Sequence, residues 1–186
     1  MSGTTSGANF GSSAISVNAT PTTINLRNNI FVNNTTPLGT GIAAAYRRAS
    51  TTLTNFGASS NNNLYYAGTP GASRVIMTDG TNLYQTLATY KTAMATRDQQ
   101  AVTENPTFLS TTGSNANFLH IDPSVATLVE GGAVNIAGIT TDFDSQIRSG
   151  NAGSTFTGST PDIGADEGNF ISILPTVVSA TASPAT

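Results

Sequence analysis

Thr23-Ile24-Asn25-Leu26-Arg27-Asn28-Asn29-Ile30-Phe31-Val32 is the stretch that decides the fold class. Ile24 and Leu26 alternate with Asn25 and Arg27, the period of two of a half-buried strand. Asn28 and Asn29 turn the chain, and Ile30-Phe31-Val32 is a second, wholly apolar run. The pattern returns outward from there. Asn33-Asn34 follows that run, and Asn61-Asn62-Asn63 precedes Leu64-Tyr65-Tyr66. Ala14–Ala19 (AISVNA) and Arg74–Met77 (RVIM, before the turn Asp79-Gly80) read as further strands. Asparagine tolerates left-handed backbone angles, and its amide can donate to one turn while its carbonyl accepts from another. Three asparagine clusters, each beside a short apolar strand, therefore predict stacked turns between parallel strands. The fold class expected is all-β, the end of a right-handed parallel β-helix (a solenoid), with one short helix and a loop-rich cap.

The helix is expected over Leu83–Ala95, where Leu83, Leu87, Tyr90 and Met94 recur at helical spacing without Gly or Pro. That stripe reads as core contact. From Val102 onward loops dominate. Asn117–Ile121 reads as a compact strand, Ser124–Glu130 as a helical turn or two, and Gly150–Thr160 as a Gly/Ser/Thr loop. Residues 1–170 are expected to hold the last coils and the cap. Residues 171–186 read as a linker or the first strand of a following module.

Composition narrows the class. Of 186 residues only 9% are charged, and Asn, Thr, Ser and Gly supply the polarity. Short polar side chains favour turns over helix interiors. With 38% hydrophobic residues the chain does not have the composition of a disordered one. Seven basic residues without a stripe argue against a nucleic-acid partner, and no apolar run reaches a membrane span. The absence of cysteine excludes disulfides, thiolate metal sites and cysteine nucleophiles.

The last third resembles the close of large secreted β-helix proteins of the pectate-lyase-like class. The elements stand in order: Asn105-Pro106-Thr107-Phe108, the segment Asn117–Ile121, the loop Thr141-Asp142-Phe143-Asp144-Ser145-Gln146-Ile147-Arg148, and the hexapeptide Asp162-Ile163-Gly164-Ala165-Asp166-Glu167. The pattern has Gly where Ser145 stands. The resemblance implies a Bacteroidota-type surface protein, secreted and displayed at the cell surface. It also implies a closing role for the hexapeptide, with Ile163 pointing into the end of the cylinder and Gly164 allowing close packing.

Few residues offer chemistry. Asp142 and Asp144 are spaced like the start of a calcium loop, which makes them the candidate metal ligands and Ca2+ the candidate ion. Two carboxylates fall short of the six to eight oxygens calcium takes. The structural reading pairs one of them with Arg148 and leaves no cofactor. Asp166 and Glu167 are sequence neighbours, which on a strand point to opposite faces and cannot act as a glycosidase pair. His120, the only histidine, has no nucleophile motif beside it and reads as a surface or turn residue. Tyr46, Arg47 and Arg48 are the candidate binding residues, for an anionic sugar or a neighbouring domain, with Tyr46 as a stacking platform. Asn18-Ala19-Thr20 and Asn33-Asn34-Thr35 match the glycosylation pattern. No catalytic residue emerges. The function expected is a structural or adhesive segment of a large secreted surface protein that contacts neighbouring domains or polysaccharide. The alternatives are part of a polysaccharide lyase or hydrolase whose catalytic coils lie upstream, and a self-assembling filament subunit.

Overall fold

In a computed structural model of the chain, residues 7–18 and 23–173 are described. β1 (Ser12–Val17), β3 (Ala43–Arg48) and β5 (Arg74–Thr78) lie side by side and parallel, with Ser12 opposite Ala43 and Ala43 opposite Arg74. β2 (Ile30–Val32) pairs parallel with β4 (Leu64–Tyr66), Ile30 opposite Leu64. β6 (Leu83–Tyr84) then runs antiparallel to β5. Helix α1 spans Leu87–Met94, and β7 (Ala126–Thr127) pairs with β8 (Ile171–Ser172).

Two of the three asparagine clusters, Asn28-Asn29 and Asn61–Asn63, stack on each other, whereas Asn33 bonds Ser12 and the Ala44 carbonyl and Asn34 bonds Asn105. Asn28 and Asn62 both take φ of 58°, the left-handed region that asparagine tolerates. The Asn63 carbonyl accepts from the Asn29 backbone N–H at 3.1 Å and from its amide at 2.9 Å. The Asn63 amide donates to the Leu26 carbonyl at 2.8 Å and to Asp98 at 3.0 Å. Each buried turn thus finds partners in its neighbours, as buried polar groups must.

The β2–β4 sheet separates two cores. Phe31 and Tyr65 face a first cluster with Tyr46, Phe56, Met77, Tyr90 and Met94. Ile30, Val32 and Leu64 face a second, with Ile121, Val129, Ala133 and Ile163. A strand with a core on each face needs apolar residues throughout, which is why Ile30-Phe31-Val32 does not alternate although each of its residues stays partly exposed. In the first core Tyr65 stacks on Phe31 at 5.4 Å and on Tyr46 at 6.3 Å between ring centroids.

The expected β-helix end does not form. Among the described residues the chain builds three separate small sheets, one of them mixed, with no closed or solenoid sheet. In the first sheet the parallel stacking ends at β5 because Asp79 folds the chain back; beside β4 it goes one bridge further, with Val102 parallel to Leu64. The Asp79 carboxylate accepts the backbone N–H groups of Thr81 and Asn82 at 3.0 and 2.7 Å and the Tyr84 hydroxyl at 2.9 Å, which makes β6 a returning strand. The helix is accordingly shorter than its stripe. Leu83 is in β6 and exposed, and Thr86 caps α1 by accepting from the Thr89 N–H.

Nor does the last third cap the end of the stack. It lies along its flank, on the outer face of β2–β4. Asn28 exchanges two hydrogen bonds with the Val134 backbone, at 2.7 and 3.1 Å, and its carbonyl accepts from the Gly164 N–H at 2.9 Å. The Asn62 amide reaches the Gly132 carbonyl at 2.9 Å. Ile163 is fully buried in the second core, not at a cylinder end. Gly164 has φ of 104°, and a Cβ there would stand 2.7 Å from Ile30 Cδ1. Asn117–Ile121 and Ser124–Glu130 form turns and single bridges instead of the expected strand and helical turn, apart from β7. Ile171 and Ser172 belong to β8 with the compact region, and residues 174–186 of the expected linker lie outside the described residues.

Candidate metal centre

Three segments of the flank meet at His120. Leu119 takes φ of 60°, an uncommon angle for leucine, at the bend that presents the imidazole. His120 Nε2 stands 3.4 Å from Asp144 Oδ2, and Nδ1 stands 3.9 Å from Asp166 Oδ1. One ligand atom from each of the three residues lies within 4.8 Å of the other two. Asp166 is oriented by the Ile121 N–H, which donates to its other oxygen at 2.7 Å. Burial raises the Asp166 pKa, the Ile121 hydrogen bond and His120 oppose that rise, and the Asp142 and Asp144 charges add to it. The side chains are 27% (His120), 36% (Asp144) and 16% (Asp166) exposed, so the group opens to solvent.

Of the two aspartates expected to bind metal, only Asp144 faces this group. Asp142 is committed to backbone. One oxygen accepts the Asp144 and Gln146 N–H groups at 3.0 and 2.8 Å, and the other accepts from Glu167 N–H at 3.2 Å. Neither aspartate pairs with Arg148. That guanidinium is buried against Glu167, with Nε 3.2 Å from Oε2, and also donates to the Gly164 and Asp162 carbonyls. Glu167 accepts the Ser149 and Asp162 N–H groups at 3.0 and 3.1 Å. Asp162 accepts those of Gly131 and Gly168 at 2.7 and 2.9 Å. Burial pushes its carboxyl up to about 7, against the pull of those two donors. The hexapeptide is thus a knot of charge-assisted hydrogen bonds to backbone.

The expected binding residues are elsewhere and mostly inside. Tyr46 is fully buried in the first core, where burial raises its hydroxyl to about 12, and it offers no stacking face. Arg48 is buried over the Phe56 ring at 5.3 Å and donates to the Thr52 carbonyl at 2.6 Å. Arg47 alone is partly exposed. Basic residues on a strand that is covered on one face cannot all be solvated, and β3 is the middle strand of its sheet. Asn33, one of the glycosylation candidates, is fully buried and donates to the Ala44 carbonyl at 2.9 Å. Thr20 of the other lies outside the described residues.

The His120 group was not legible as a unit. Its members sit in three segments, and the only cue is that both motifs of the last third carry an aspartate on the same turn as a committed one: Asp144 beside Asp142, Asp166 beside Glu167. Among the described residues no helix is long and apolar enough to cross a membrane. Compared with protein-family models, with curated proteins and with solved structures, the chain matches none.

Proposed function

We propose that this chain is a non-catalytic structural segment of a large secreted cell-surface protein. The observation that carries the reading is the use of its carboxylates. Of ten acidic residues, eight accept a backbone N–H: Asp79, Glu104, Asp122, Glu130, Asp142, Asp162, Asp166 and Glu167. Asp98 is held by the Tyr65 and Tyr90 hydroxyls at 2.9 and 2.6 Å. A general acid or base must be free to meet a substrate, and these groups are bonded to their own chain. The neutral polar composition and the last third's resemblance to large surface proteins support the extracellular setting. Polysaccharide contact through Tyr46 and Arg48 loses its support, because both are buried. The test is a turnover screen on pectin, alginate and neutral glycans with Ca2+ and with Zn2+ present. No turnover is expected. Turnover that a folded Asp144→Asn or His120→Ala variant loses would contradict the reading.

A further inference from the structure

We propose that His120, Asp144 and Asp166 bind one divalent first-row transition cation of the zinc class, which ties three segments of the flank together. Two ligands bonded to a tetrahedral zinc at 2.0–2.1 Å stand about 3.3 Å apart. His120 Nε2 and Asp144 Oδ2 already stand 3.4 Å apart. Asp166 stands beside the other ring nitrogen, Nδ1, but one of its oxygens lies within 4.8 Å of the other two ligand atoms, so its carboxylate must swing to the Nε2 side to complete the set. Solvent exposure of Asp144 leaves room for water in the fourth position. The imidazole decides the class of ion. Calcium and magnesium take oxygen, whereas nitrogen with carboxylate suits zinc and its neighbours. Calcium also loses Asp142, whose two oxygens are held by three backbone N–H groups.

Charge points the same way, independently of the spacing. The Asp142 and Asp144 charges both bear unfavourably on Asp166, with His120 the only side chain opposing them. Among the described residues no arginine or lysine forms an ion pair with any of them, and the one guanidinium ion pair is Arg148 with Glu167. A bound dication neutralises that excess. Asp166 is also held in place beforehand by the Ile121 N–H, the outer support that fixes a ligand's orientation. The ion would join the turn at His120, the Asp142–Arg148 loop and the closing hexapeptide. That role as a staple rests on the structural reading above, whereas binding itself does not.

The experiment uses the full chain, stripped with EDTA and desalted. Titration calorimetry with Zn2+ should give one saturable site, and Co2+ should give the visible bands of a low-coordinate ion with a nitrogen ligand. His120→Ala and Asp144→Asn, both at partly exposed positions, should each weaken Zn2+ binding at least tenfold while circular dichroism stays unchanged. Ca2+ at the same concentration should not compete. Binding should weaken on acidification, since the ligands must lose their protons. No saturable Zn2+ binding, or binding untouched by both substitutions, would overturn the site. So would Ca2+ binding that survives His120→Ala, which would make it a carboxylate site for a hard cation. A Zn2+-induced rise in melting temperature, lost in both variants, tests the staple separately. Binding without that rise would keep the site and remove its structural role.

Discussion

Ser145 is a serine in a glycine's conformation. Its φ is 68°, at the position where the resembling motif has Gly, and Asp142 gathers the surrounding N–H groups into the turn. A left-handed residue with a Cβ costs about 1–2 kcal/mol, and glycine's extra freedom in the unfolded chain returns about 0.5–1 kcal/mol of that. Ser145→Gly should therefore stabilise the protein by up to about 1 kcal/mol in urea melts. A loss of stability would mean that the serine side chain holds the turn. Ile163 is the opposite case. It is fully buried between Val129, Leu64 and Gly132. Ile163→Ala should cost about 2–5 kcal/mol, as other large-to-small core changes do. Both residues could be singled out in the sequence, Ser145 by its departure from a motif and Ile163 as the one large apolar side chain of its hexapeptide. What they pack against could not, because Leu64 and Ile30 lie 99 and 133 residues before Ile163 in the chain.

At the scale of elements, local chemistry decided what became of each stretch. The asparagine clusters before β2 and before β4 did become stacked turns, because the cue and the hydrogen bonds lie in the same few residues, but Asn33-Asn34 found partners elsewhere. Of the stripe over Leu83–Ala95, eight residues, Leu87–Met94, became helix. Its spacing was right, but Thr86 and Asp79 set the boundaries through side-chain hydrogen bonds that spacing does not register. In the first sheet the expected solenoid failed for the same reason, at the turn after β5, and the β4 stack went no further than a single bridge at Val102. The buried pair Arg148–Glu167 is the counterpart in the last third. Removing one partner of such a pair leaves an unpaired charge and typically costs about 3–5 kcal/mol. Glu167→Gln should fall in that range, and Arg148→Ala should cost no less, since it also strips donors from the Gly164 and Asp162 carbonyls.

For the molecule as a whole, the buried carboxyls set the response to pH. Asp162 is held at about 7 in the folded chain, above its ordinary 3.8. Between those values the folded protein keeps a proton that the unfolded chain has released. Stability from this group is complete below pH 4 and is lost as pH rises towards 7, with a slope of at most about 1.4 kcal/mol per pH unit. Asp98, Glu130 and Asp166 are raised by burial and act in the same direction. Asp79 is lowered by its hydrogen bonds and Asp122 by those from Ser124, so both favour the folded state above the ordinary carboxylate range and cease to do so in acid. The chain should be more stable at pH 5 than at pH 8, and Asp162→Asn should flatten that difference. An unchanged slope in the variant would assign the effect to other groups.

The central claim is that the Asn28 and Asn62 hydrogen bonds and the core around Ile163 fasten the last third, itself held together by carboxylate-to-backbone bonds, onto the flank of β2–β4, so that the two parts unfold together. The five tyrosines, Tyr46 to Tyr90, all lie in the first part, and there is no tryptophan. Tyrosine fluorescence therefore reports on the part that Glu167 does not touch. A urea melt of Glu167→Gln followed by tyrosine fluorescence should show one transition, moved down by about 1 M or more for a loss of about 3–5 kcal/mol. A tyrosine transition that stays at the parent midpoint would contradict the account, for the last third would then be fastened to nothing that holds the first.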